Sequence, residues 1–331
     1  MPSKKNEPEL LKPLLAGDRR ALARAITLIE SHAERDHRAA SALLTSIMPH
    51  AGKSLRIGIS GPPGVGKSTF IEAIGQKFLQ QGKHKLAVLA VDPTSRISGG
   101  SILGDKTRME ELSRHEMAFI RPSPGGDAAG GVARQTRESI FLAEAAGHDV
   151  VIVETIGVGQ SESAVASMVD FFLLLHQPNS GDDLQGIKRG NLELADFVIV
   201  TKADGELLPS ARKAQSELMN ALSYFATSGQ PAPEVIACSS VTGSGIEKVL
   251  VALEGAYEKT RLSDKLAEKR QRQMLSWFHQ EVQEMILDTL KNNKAISDLI
   301  SIAEAEVARG ALAASTAAEQ VVTKLLAKGV P

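Results

Sequence analysis

Between Leu55 and Ser239 the chain alternates short apolar runs with longer segments whose apolar positions recur at helical spacing. The runs Leu55–Ser60, Leu86–Asp92, Ala118–Arg121, Val150–Glu154, Phe171–Leu175, Phe197–Thr201 and Glu234–Ser239 read as strands. Phe70–Gln80, Ala133–Ala146, Pro209–Leu222 and Gly245–Tyr257 read as helices between and after them. Strands apolar on both faces and separated by helices predict an α/β fold, a mostly parallel sheet with helices on each side. Ligands then belong at the carboxyl ends of the strands.

The flanks differ from this middle. In residues 1–52, Leu10, Leu11, Leu14 and Leu15 recur at helical spacing, and Asp18 is placed to N-cap a segment carrying Leu22, Ile26 and Ile29. After about Thr260 there is no strand signal. An apolar stripe runs through Met274, Phe278, Val282 and Met285, then Ile296, Ile300 and Val307, and an Ala-rich end carries Val321, Leu325 and Leu326. Such helices either fold back on the core or form an arm around a second subunit. The expected organisation is a helical extension over 1–52, an α/β domain over 53–260 and a helical arm over 261–331.

Composition narrows the partners. Lys and Arg total 38 against 39 Asp and Glu, and the formal net charge is −1, so a nucleic-acid footprint of clustered base is missing. The first residues lack the apolar stretch of a signal peptide, and no run reaches membrane-span length, so a cytoplasmic protein without a membrane partner is expected. Cys238 is the only cysteine, which rules out an intrachain disulfide and a Cys-x-x-Cys metal site.

The densest chemistry sits directly after the first strand. Gly61, Pro62, Pro63, Gly64, Val65, Gly66, Lys67, Ser68 and Thr69 fit the phosphate-loop pattern G-x-x-x-x-G-K-[ST]. Phosphate oxygens must be met by backbone N–H groups at close range, which favours residues without a Cβ. The following helix aims its free amides and dipole at the same place. Lys67 supplies positive charge to the β- and γ-phosphates, and the Ser68 hydroxyl is a ligand for Mg²⁺. Two strands end in acids at the same sheet edge, Asp92 and Glu154, where metal coordination competes with simple turn capping. Gly157, three residues after Glu154, has the place of a glycine whose amide meets the γ-phosphate.

Base recognition falls on Thr201-Lys202-Ala203-Asp204. The Asp204 carboxylate accepts from the N1–H and exocyclic amine of guanine, whereas adenine would face it with a lone pair. That mismatch costs about 1.5–3 kcal/mol. Lys202 can lay its stem along the base. The usual motif is N-K-x-D, and Thr201 in place of Asn leaves guanine preference open. Ser239, Ser240 and Val241 follow the last strand, where backbone amides can reach the guanine O6.

Together these residues resemble the P-loop GTPases of the metallochaperone-like class, and most closely the methylmalonyl-CoA mutase-associated (MeaB, ArgK-type) branch. The stretches that carry the resemblance are GPPGVGKST, VDPTS, Gly99–Met109, Arg121–Glu138, Val153–Glu162 and Leu184–Phe197. The resemblance implies a P-loop GTPase domain binding GTP or GDP with Mg²⁺, a homodimer formed through the C-terminal arm, and a chaperone that gates cofactor loading and protection of an adenosylcobalamin-dependent methylmalonyl-CoA mutase. It also implies switches at Gly99–Met109, Glu154–Gln160 and Leu184–Ala195. Val158 occupies the place where many GTPases carry a water-orienting Gln, so Asp105, or less directly Gln160, takes that role beside Lys67 and Glu154. Two other activities stay open: a GTP-dependent metallochaperone, for which the 8 histidines are too scattered, and an ATPase associated with basic amino-acid transport, against which Asp204 argues.

Overall fold

The computed structural model describes residues 9–31, 33–91, 109–122, 129–155, 161–178, 189–223 and 232–327. The chain divides into two compact units, 1–267 and 268–331.

In the first unit, seven strands among the described residues form one sheet: β1 (Leu55–Ser60), β2 (Leu86–Val91), β3 (Ala118–Pro122), β4 (Val150–Thr155), β5 (Phe171–His176), β6 (Phe197–Val200) and β7 (Glu234–Ala237). Their spatial order is β3-β2-β4-β1-β5-β6-β7, and every pairing is parallel. The order reverses around β1, so its carboxyl end opens onto the crevice where such sheets bind ligands. β1, β4, β5 and β6 are buried along their whole length, which accounts for their unbroken apolar runs.

Helices cover both faces. On one, Ile57, Ile59, Val88, Ile152 and Leu173 pack with Phe70, Ile74 and Phe78 of one helix and Val249, Leu250 and Leu253 of another. On the other, Val198, Val200 and Val235 pack with Ala211, Leu218 and Leu222. In chain order the helices of this unit are α1 (Leu11–Leu15), α2 (Arg19–Glu30), α3 (Glu34–Ile47), α4 (Lys67–Gln80), α5 (Glu110–Arg114), α6 (Ala129–Ala145), α7 (Ser161–Ala166), α8 (Arg189–Leu194), α9 (Leu208–Ser223) and α10 (Ile246–Leu262).

The first three helices belong to this unit and pack against α6. Asp18 caps α2 as its position foretold, accepting from the amides of Arg20 and Ala21 at 2.7 and 2.9 Å. The join to the sheet is polar and buried. Arg56 of β1 grips Glu144 of α6 through two hydrogen bonds of 2.8 and 2.9 Å. Glu144 also accepts from the Gly52 amide and the Ser54 hydroxyl, each at 2.6 Å. Burial alone would raise the Glu144 carboxyl; Arg56 and the two neighbouring donors, Ser54 and Gly52, overcome that and hold it below the ordinary carboxylate value.

Element ends differ from expectation by small, explicable amounts. The helix after the phosphate loop starts at Lys67, three residues before the predicted Phe70, because Gly66 takes the left-handed N-cap conformation with φ 98°. The last strand stops at Ala237 rather than Ser239, since the Ser239 amide turns back to the Ser244 carbonyl.

The second unit is helical where it is described: most of α11 (Lys265–Asn292), then α12 (Lys294–Ala308) and α13 (Ala314–Ala327). Trp277 and Ala317 are buried there, but the apolar stripe foreseen on α11 is not: Phe278 and Met285 are 60 % and 65 % exposed. Among the described residues no helix is long and apolar enough to cross a membrane.

Candidate functional site: a phosphate loop beside a base-reading turn

The loop between β1 and α4 is shaped by what a side chain would hit. A Cβ at Gly61 would lie 2.7 Å from the Leu175 carbonyl oxygen and 3.2 Å from the Val65 side chain, so only glycine lets the chain leave β1 this close to β5. Val65 is fully buried and holds the loop down, while Pro63, Gly64 and Thr69 face solvent. No side chain caps the start of α4. Its first-turn amides therefore present an anion site of the kind phosphate loops use. Lys67 Nζ donates to the carbonyls of Gly61 and Pro62 at 2.8 and 3.3 Å, arching over the loop toward the same spot.

Ser68 and Glu154 meet across the sheet. Glu154 lies in register with Ile59 of β1 and Ala90 of β2, which brings its carboxylate to the start of α4. Ser68 Oγ donates to Glu154 Oε1 at 3.3 Å, and both residues are buried. A hydroxyl and a carboxylate oxygen converging beside a phosphate cradle suit Mg²⁺, a hard cation that takes oxygen ligands. Asp92, Asp105, Gly157 and Gln160 lie outside the described residues, as do most of the first two segments expected to switch and residues 184–188 of the third.

The base-reading turn is tied to the loop by its first two residues. Thr201 is buried and its Oγ1 donates to the Val65 carbonyl at 2.8 Å, with the His176 carbonyl 3.2 Å away. Lys202, held at φ 56°, sends Nζ to the Gly64 carbonyl at 2.7 Å. Phosphate loop and base-reading turn thus form one braced body. A threonine hydroxyl is the bracing donor at the position where the usual motif has Asn. The sequence left that role unseen because the partner carbonyl lies 136 positions away.

Asp204 is aimed by its neighbours. Ser239 Oγ donates to Asp204 Oδ2, and the Thr242 amide donates to Ser239 Oγ at 3.1 Å. Ser239 is buried, Ser240 half-buried, and Val241 is 84 % exposed at the rim. Behind the turn, the Ala203 amide donates to the Cys238 carbonyl at 3.0 Å. Cys238 itself is buried, and burial pushes its thiol up to about 12. Among the described residues no group of three His, Cys, Asp or Glu is arranged to hold a metal.

A parallel sheet with a Gly-Lys-Ser loop at its switch point and an acid-bearing turn two strands away defines a P-loop GTPase, and the comparisons agree. Residues 22–295 match the family described as methylmalonyl Co-A mutase-associated GTPase MeaB, and the chain belongs to that family. A mouse protein named methylmalonic aciduria type A homolog, mitochondrial, is 46% identical over 317 residues, 92% of this chain and 76% of its own length. The Escherichia coli GTPase ArgK is 44% identical over 287 residues, 86% of each chain. Among solved structures, one described as LAO/AO transport system kinase is 34% identical, covers 98% of this chain and 100% of its own, and superposes with a TM-score of 0.77.

Proposed function

We propose that this GTPase is a nucleotide-driven chaperone of an adenosylcobalamin-dependent methylmalonyl-CoA mutase, gating cofactor loading and protecting the loaded enzyme. The observation that carries the reading is the family match across 22–295, with a mouse relative of similar length in the matched part whose name refers to methylmalonic aciduria.

In this reading Gly61–Thr69 holds the phosphates of GTP or GDP by its amides, with Lys67 on the β- and γ-phosphates. Ser68 and Glu154, joined by Asp92, hold Mg²⁺, which would neutralise charge on the phosphate oxygens. Asp204 reads the N1–H and amine of guanine, Lys202 flanks the base, and Ser239, Ser240 and Val241 close the base side. Gly157 contacts the γ-phosphate and Asp105 orients the attacking water. Support for guanine over adenine comes from the carboxylate of Asp204 being fixed by Ser239, since adenine, with an acceptor at N1, would set a lone pair against that charge. The arm over 261–331 joins two copies through the exposed stripe of α11, with Phe278, Val282 and Met285 as its central contacts.

The decisive experiment is multiple-turnover hydrolysis of GTP and ATP with and without a cobalamin-dependent mutase. A GTP rate that rises on adding the mutase supports the chaperone; a rate indifferent to the mutase removes it. ATP turnover at the GTP level would favour the transport-associated reading that the LAO/AO kinase likeness keeps in view.

A further inference from the structure

Behind the phosphate loop lies a buried polar string that phosphate, metal and base binding leave unused. Ser60 is the last residue of β1, directly before Gly61; Thr155 is the last residue of β4, directly after Glu154. Both are fully buried. Thr155 Oγ1 donates to Ser60 Oγ at 2.8 Å, and Ser60 Oγ donates to Glu162 Oε1 at 3.2 Å. Glu162 stands in the first turn of α7 and is 2 % exposed. Each hydroxyl carries one proton, so the string has a direction: it runs from β4 through β1 and ends on the carboxylate of α7. The other oxygen, Glu162 Oε2, is buried and has no hydrogen-bond partner among the described residues.

A buried carboxylate with half its capacity unused is costly to keep, and an apolar residue would fill the same volume without that cost. What Glu162 supplies instead is attachment. Through Ser60 it reaches the start of the phosphate loop. Through Thr155 it reaches the strand end whose Glu154 accepts from Ser68. The end of β4 and the first turn of α7 are therefore both fastened to the residue that precedes Gly61.

We propose that Glu162 is a positioning residue for GTP hydrolysis. It holds the Glu154-bearing end of β4 and the start of the phosphate loop in one stance, and so sets how strongly the protein distinguishes a nucleoside triphosphate from a diphosphate. It acts through Ser60 and Thr155 and touches neither nucleotide nor water. The test is the ratio of affinities for a non-hydrolysable GTP analogue and for GDP, measured by calorimetry on the full chain. Glu162→Gln keeps the shape and removes the charge; the ratio should fall about tenfold, the effect of weakening one charge-assisted hydrogen bond. GDP affinity should stay near that of the parent. In a Ser60→Ala background the same substitution should change the ratio no further, because the string is already cut. Equal loss of affinity for both nucleotides, or an unchanged ratio, would leave Glu162 a packing residue and overturn the proposal. Should Glu162→Gln fail to fold, Ser60→Ala and Thr155→Val carry the same expectation, and an unchanged ratio in both overturns it equally. No mutase enters the measurement, so it stands or falls apart from the chaperone reading.

Discussion

Thr201 occupies a position where the usual guanine motif has Asn, and its hydroxyl donates to the Val65 carbonyl inside the phosphate loop. Removing that donor while keeping the shape, as in Thr201→Val, leaves a buried carbonyl poorly satisfied. GTP affinity should drop by about tenfold, corresponding to roughly 1–1.5 kcal/mol for one hydrogen bond, while Thr201→Asn should keep it; titration calorimetry checks both. Lys67 is a second residue whose role its type nearly dictates. Lys67→Ala should abolish tight nucleotide binding, and GTP affinity equal to the parent's would count against the phosphate-loop assignment. Asp204→Asn should move preference from guanosine toward xanthosine nucleotides, because the amide then donates where the carboxylate accepted; competition binding reads the shift. At this scale the sequence was readable wherever spacing is short. Gly61 to Ser68, and Thr201 to Asp204, each carry their chemistry within a few positions. The bonds that join these motifs were not readable, since Thr201 to Val65 and Ser60 to Glu162 are set by strand order alone.

Among the elements, the runs from Leu55 to Ala237 were legible because strands buried on both faces must be apolar throughout, leaving little to confuse them with. Helix starts were less so: the φ of Gly66, not hydropathy, moves α4 forward to Lys67 and so places Ser68 opposite Glu154. The seam between β1 and α6 has its own consequence. Glu144 is folded below its ordinary value of 4.5, so its contribution is present above that pH and fades as pH falls toward the depressed value. At neutral pH, Glu144→Ala strands Arg56 without its partner and should cost about 3–5 kcal/mol in chemical denaturation. His148, just past α6, acts in the same sense. Burial lowers it from 6.5 to about 4, with its Nδ1 against the Ala143 carbonyl at 2.9 Å. The folded state then binds fewer protons than the unfolded one across that window, so stability should decline as pH drops from about 6.5 to 4, by on the order of 3 kcal/mol. In His148→Asn that part of the decline should vanish; a pH series of melting curves that is parallel for the two proteins would contradict it.

For the whole molecule, hydropathy period separated the strand-bearing region from the all-helical end, but it could not say whether the apolar stripe after Thr260 is covered. On α11 that stripe lies open, with Met274, Phe278, Val282 and Met285 exposed together. If two copies meet there, Phe278→Glu should convert a dimer to a monomer in sedimentation velocity while GTP affinity stays as it was; a monomeric parent protein would dismiss the arrangement. Nothing in the alternation of apolar and polar positions marks an interface as distinct from a core, because both ask for the same side chains.

Cys238, the one thiol in the chain, is sealed behind the base-reading turn and stays protonated well above neutral pH. The folded protein is therefore a blank background for maleimide chemistry. A single cysteine introduced at the exposed rim position Val241 would take a fluorophore at a known place beside the nucleotide, so that binding and turnover could be followed as light from one molecule at a time.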